Sequence, residues 1–157
     1  MNAENGMEAV MPNWCNNHLT VRSEHDEVQR FKAKAVGHGP WEKPPADEQP
    51  SPLNFHGLVP IPADVLQAGY EKAGFDWEVQ NWGCRWGAGE AELMDDNGCE
   101  LFYQFDTPWN PPIAFLKALG KLWPNLKFLL EYDEPGMRFK GLCKIHGDLC
   151  ENHCIEF

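Results

Sequence analysis

Residues 86–132 read WGAGEAELMDDNGCELFYQFDTPWNPPIAFLKALGKLWPNLKFLLEY, and their pattern predicts strand, strand, helix, strand. Trp86 to Met94 and Cys99 to Phe105 form the two arms of a hairpin, with Asp95-Asp96-Asn97-Gly98 as its turn. Asn-Gly adopts positive φ at little cost, which suits a tight reversal. Leu101, Tyr103 and Phe105 alternate with Phe102 and Gln104, the period of a half-buried strand. Ile113, Leu116, Leu119 and Leu122 then follow helical spacing. Pro111 and Pro112 are placed in the first turn of that helix, where a missing N–H matters least. Pro124-Asn125 ends it, and Leu126 to Tyr132 (LKFLLEY) is a further strand, largely buried.

Upstream, Asn17 to Arg22 alternates as a strand, with Leu19 and Val21 on one side. Ser23 is expected to cap a helix, with Asp26 approximating a capping box, and Val28, Phe31 and Ala35 form its apolar stripe up to Gly37. Residues 38–52 carry Pro40, Pro44, Pro45, Pro50 and Pro52 and read as a solvated loop. Leu53 to Pro62 reads as an extended apolar linker, Ala63 to Lys72 as a short helix, and Trp77 to Trp82 as too broken for a long regular element. Downstream, Glu134-Pro135-Gly136-Met137 turns the chain. Phe139 to Phe157 reads as an added hairpin about Gly147-Asp148 that extends the sheet.

The order β-α-insertion-β-β-α-β is the split βαβ arrangement: an α+β, ferredoxin-like fold, an antiparallel sheet with two helices on one face. The implied organisation is a flexible tail at residues 1–10 and a domain over 11–141 with an insertion at about 38–80. Residues 142–157 form the terminal hairpin of that same domain. No iron–sulfur cysteine spacing is present, so the name concerns topology alone.

Four patches, MPNWC (Met11 to Cys15), NWGCRW (Asn81 to Trp86), FDTPWNPP (Phe105 to Pro112) and EPGM (Glu134 to Met137), resemble signatures of a YubB-like (Api-type) family encoded by phages and plasmids. The resemblance frames residues 11–141 and implies the ferredoxin-like fold, an accessory role in a mobile element, and no stated activity. Cys84, Arg85 and Gly87 stand where the family pattern leads one to expect a small polar residue, lysine and asparagine.

Composition narrows the function classes. The 157 residues are 43% hydrophobic and 24% charged, enough for one domain with a real core. With 24 acidic against 13 basic residues the net charge is −11, which argues against direct binding of nucleic acid. The same acidity suits a basic protein partner. Met1 to Val10 shows no signal-peptide pattern and no run of 18 apolar residues occurs, so no membrane span is expected and the site of action is read as the cytoplasm of a bacterial host. The six cysteines are then read as reduced thiols or ligands.

Each signature patch borders a strand end, so several are expected to converge on one rim. Trp82, Trp86 and Trp109 would offer flat apolar faces. Asn81, Asp106 and Glu134 would supply hydrogen bonds, and Arg85 a fork for an anion. The competing reading makes the patches scaffolding, with Gly83 and Gly136 in special turns and Trp packed on Pro.

The terminal run Cys143, His146, Cys150, His153 and Cys154 raises zinc as a cofactor. A two-residue turn at Gly147-Asp148 would place Cys143, Cys150 and Cys154 on one face and His146 and His153 on the other, which favours the sulfurs as small hydrophobes. Cys15 with His18, or Cys84 with His56, would be a nucleophile pair without a local signature. The sequence therefore points to a protein that acts by binding, with an acidic surface occupying a host defence protein. Its rivals are a Trp-lined pocket that sequesters a small nucleotide-like ligand, and a small hydrolase using Asp106 with Glu134 or a zinc-binding protein.

Overall fold

The computed structural model describes residues 12–157, so the expectations for the 1–10 tail and for Met11 lie outside the described residues. Its sheet is six-stranded and antiparallel, with strands β1 (Trp14–Arg22), β2 (Gly89–Asp96), β3 (Glu100–Pro108), β4 (Lys127–Glu134), β5 (Phe139–His146) and β6 (Leu149–Glu156). Their spatial order is β2-β3-β1-β4-β5-β6. The first four give the ferredoxin-like order, with β1 paired to both β3 and β4, and the terminal hairpin continues the sheet beyond β4.

Period-2 alternation decides which face is covered. Cys15, Leu19 and Val21 of β1, Leu101, Tyr103 and Phe105 of β3, Phe128, Leu130 and Tyr132 of β4, and Cys143 and Ile145 of β5 are all buried. Directly paired residues share a face, so these side chains form one apolar layer. Helices α1 (His25–Ala35) and α5 (Ile113–Leu122) contribute Val28, Phe31, Ala35, Phe115, Leu116 and Leu119 to the core formed on it. Phe31 sits at the centre, edge-on to Tyr103, Trp123 and Phe128. Gly120 lets α5 approach the hairpin turn, because a Cβ there would strike the Gly147 carbonyl and Ile145. The opposite face, with His18, Thr20, Phe102, Leu129 and Leu142, carries no helix among the described residues.

Three local expectations are corrected. Ser23 does not cap α1; its hydroxyl donates to the Asn125 carbonyl at 2.8 Å, and Glu24 occupies the N-cap position without a side-chain bond. Pro112 is the N-cap residue of α5 rather than a member of its first turn. Leu53 to Pro62 is not a linker, since Phe55–Leu58 is a helical turn (α2) and Leu53, Phe55, Leu58 and Ile61 are buried. Trp77 to Trp82 falls, as read, in no long regular element, but along a helix of 7 residues that ends at Asn81. Helix α3 (Ala63–Ala68) leads through a π-helical turn, Tyr70–Gly74, into α4 (Phe75–Asn81).

The insertion is thus part of the core. The Phe55 ring stacks on Phe115 with centroids 3.7 Å apart, and meets Trp82 and Phe105 edge-on. Among the described residues, no helix is long and apolar enough to cross a membrane. Phe55→Ala should cost about 3–5 kcal/mol, the range for removing a buried phenylalanine. Urea unfolding monitored by tryptophan emission would measure it. A loss under about 1 kcal/mol would show that the insertion is an ornament to the fold.

Candidate functional site

The four signature patches meet in space. The Phe115 N–H donates to the Trp82 carbonyl at 3.1 Å and the Trp109 N–H donates to the Asn13 carbonyl at 2.7 Å. Gly136 lies against the Asn13 side chain, so close that a Cβ would not fit. A buried polar network fixes this junction. The Asn17 amide donates to Thr107 Oγ1 at 2.9 Å and to the Cys15 carbonyl at 3.1 Å, while the Thr107 hydroxyl donates to the Asn110 carbonyl at 2.6 Å. Both Asn17 and Thr107 are wholly buried, so each bond is needed to offset lost hydration.

On this junction three of the expected site residues come together. The Arg85 guanidinium lies 4.3 Å from the Trp109 ring centre and 4.6 Å from that of Trp86, with Phe75 at 5.3 Å. Cation–π attraction of this kind strengthens as water is excluded. Arg85 Nε is sealed from solvent and has no hydrogen-bond partner among the described residues. Among the described residues no carboxylate lies within ion-pair distance of Arg85. Trp86 keeps half of its surface open to solvent and faces Trp14 at 6.4 Å. Both clamping tryptophans have left-handed backbone, with φ of 72° at Trp86 and 62° at Trp109. That conformation is unfavourable for an L residue and persists only where surrounding contacts impose it.

The other four expected residues are placed elsewhere. Trp82 is only 2% exposed; it is a core ring whose Nε1–H donates to the Val59 carbonyl at 3.1 Å, and it offers no face to a guest. Asn81 donates to the Trp77 carbonyl at 2.9 Å, closing the last turn of α4. Glu134 is buried and accepts the N–H groups of Gly136 at 2.7 Å and Met137 at 3.0 Å, so it holds the β4–β5 turn. Asp106 points to the helix-free face, opposite to Thr107 and Glu134, where burial raises its pKa, assisted by nearby Glu90 and offset by His18. Asp106 and Glu134 therefore do not form an acid–base pair.

Cys15 lies on the covered face and His18 on the other, and burial pushes the Cys15 thiol up to about 12. Cys84 is buried and its thiol is likewise raised by burial, while His56 Nδ1 accepts the Ile61 N–H at 3.0 Å. In the terminal hairpin Cys143, Cys150 and Cys154 sit on the helix-side face and His146 and His153 on the other. Among the described residues no three metal-ligating side chains gather.

Sequence reasoning missed the insertion's contribution. A cleft of about 820 Å³ opens between the proline-rich segment and the Trp86 loop, lined in part by His38, Trp41, Glu48, Tyr70 and Trp86. Behind it lies Glu78, wholly buried on α4. Its carboxylate accepts Trp41 Nε1–H at 2.8 Å and the Trp86 N–H at 2.8 Å. Burial raises the Glu78 pKa, against the pull of those two donors. The Tyr70 hydroxyl is also sealed and unpartnered, with its pKa raised by burial and by Glu78. Spacing could not reveal Glu78, because its partners stand 37 residues upstream and eight downstream.

Residues 81–156 match a family model described as a ferredoxin-like domain in Api92-like protein. The chain is similar to the crystal structure of a protein, api92, from Yersinia pseudotuberculosis, with a TM-score of 0.72 at 11% identity. That likeness spans 94% of this chain and 98% of the other, and at such identity it establishes the fold alone. No curated protein matches the chain.

Glu78 gives a pH signature. A carboxylate whose folded pKa lies above its unfolded value holds its proton more tightly when folded, so it subtracts stability as pH climbs past the unfolded value near 4.5. The native chain should therefore lose more stability between about pH 4.5 and neutrality than Glu78→Gln does. Urea midpoints across that range measure the difference. Parallel curves would show that Glu78 is not the titrating group.

Proposed function

We propose that the protein acts by binding, and that its guest is a small anionic molecule with a flat ring, of the nucleotide class, held at Arg85, Trp86 and Trp109. The observation that carries this reading is the unpaired Arg85 guanidinium clamped between two strained tryptophans, one of them half exposed. A base or similar ring gains from stacking on an indole without regard to its identity. An arginine fork adds the geometry for phosphate or carboxylate. The adjoining cleft, with Trp41 and Tyr70, supplies volume for the rest of the molecule. In a chain of net charge −11, such a guest meets Arg85, and Lys43 on the cleft wall, within a repelling field, which favours short-range recognition over long-range capture.

Calorimetric titration with purine mononucleotides and cyclic dinucleotides tests it. Binding by at least one of them is expected, and Trp86→Ala or Arg85→Gln should each weaken it about tenfold or more, the equivalent of one stacked base or one charged hydrogen bond. Both side chains lie outside the main core, so circular dichroism should be unchanged. Absence of heat with every nucleotide, or equal affinity in both variants, would overturn the assignment.

The net charge supports a second reading. As an accessory protein of a phage or plasmid, in keeping with the four signature patches, the chain would occupy a basic host protein of a defence system through its acidic surface. Such an association should weaken steeply between about 0.05 and about 0.3 M salt, since the Debye length shortens over that range. Capture of a host protein unaffected by salt would rule out an electrostatic mode.

A further inference from the structure

The two edges of the sheet are built differently. β2 is broken by two register shifts and carries Glu90, Glu92, Asp95 and Asp96. Bulges and charge are the usual protection of an edge against another strand, and like charges would oppose a second copy. β6 has no bulge, and its carboxylates are two, Glu151 and Glu156. All eight of its residues are exposed, its register with β5 runs without a shift from Leu149 to Glu156, and it contains no proline or lysine. Leu149 is 73% exposed and Ile155 58%.

The backbone of β6 also has a fixed polarity. The Phe157 N–H donates inward to the Arg138 carbonyl. Hydrogen-bonding direction alternates along a strand, so the odd-numbered residues of β6 bond toward β5 and the even-numbered ones present free N–H and C=O groups outward. An antiparallel copy can use those groups only in registers that set even residues opposite even residues. One such register, centred on Asn152, makes the pairs from Leu149 to Ile155 complementary, while Glu156 falls opposite the partner's Asp148 beside the turn. Leu149 then meets Ile155 of the partner subunit, Glu151 meets the partner's His153, and Cys150 meets the partner's Cys154. Shifting the centre to Glu151 would oppose Glu151 to itself. Shifting it to His153 would oppose two imidazoles and set Glu151 against an isoleucine.

The geometry points to β6 as the interface of a homodimer, in which two sheets join edge to edge about a two-fold axis through Asn152 and perpendicular to the sheet. The matched parity keeps both helix layers on one side and both helix-free faces on the other. Two grooves of about 510 Å³ each flank the seam on the helix-free face, one including Leu149 and Glu151, the other His153 and Ile155. Pairing brings the Leu149 groove of one copy against the His153 groove of the other and makes a surface continuous across both copies. The interface is separate from the Arg85 site, so its test does not depend on ligand.

Sedimentation velocity of the native chain up to about 200 μM, a concentration at which even a Kd of about 40 μM leaves most of the chain paired, should show twice the chain mass. Cys154→Pro removes an outward N–H and spares the β5 ladder, so it should yield a folded monomer. Glu151→Lys should weaken the dimer about tenfold, because symmetry breaks two pairs at once. Adding His153→Glu to Glu151→Lys should restore native affinity within about threefold, since the pair is rebuilt with charges exchanged. A monomeric native chain, or a Cys154→Pro variant that stays dimeric, overturns the interface. A charge exchange that fails to restore affinity overturns the register.

Discussion

A single buried carboxylate ties the insertion to the ferredoxin-like sheet. Glu78 accepts one hydrogen bond from Trp41, at the start of the proline-rich segment, and another from the backbone of Trp86, at the entry to β2. An ionised group sealed from water is unfavourable unless donors surround it. Two donors from distant parts of the chain therefore converge on it, and the convergence fixes three things. It sets the path of residues 38–52, the position of α4, and the angle at which Trp86 leaves the core.

The ferredoxin-like scaffold was legible because its elements obey local periods. Strand β1 alternates in burial without exception from Cys15 to Val21, with Asn17 a polar residue on the buried side, and α5 places Leu116 and Leu119 on its buried stripe. Gly147-Asp148 was readable as a two-residue turn, and the register it implies separates the hairpin's sulfurs from its imidazoles as spacing suggested. The insertion was not legible by the same means. Prolines there suppress periodicity, yet Leu53, Phe55, Leu58 and Ile61 are buried by tertiary contact with α5 and β3 rather than by any repeating pattern. Trp82 was misjudged for a related reason. A tryptophan beside glycine reads as a turn residue, but Trp82 ends a helix that the insertion presses into the core.

The candidate site was half visible. Arg85, Trp86 and Trp109 belong to two short patches whose proximity followed from their placement at neighbouring strand ends. Their partners Trp41, Tyr70 and Glu78 lie in the insertion, Trp41 in the part read as solvated loop, and no sequence pattern links a buried glutamate to an indole 37 residues away. Polar residues satisfied at long range leave no local trace. Asn17 and Thr107, 90 residues apart and wholly buried together, make the same point for the junction beneath the site.

The backbone at this site argues for a role of the rings themselves. A left-handed conformation costs an L residue about 1–2 kcal/mol, and the usual solution is glycine. This chain uses glycine that way at Gly83 and Gly87, immediately around the cluster. At Trp86 and Trp109 it keeps the two bulkiest side chains in the same region of conformational space. If the turns were only scaffolding, glycine at those two positions would relieve the strain with little loss of packing at Trp86, whose ring is half in solvent. The rings are instead held at fixed angles about a guanidinium that has no carboxylate partner among the described residues. Strain, an unpaired cation and open aromatic surface at one point are each unfavourable for the isolated fold. A guest that stacks and carries negative charge would offset the last two together, which is the physical reason to look for the function there.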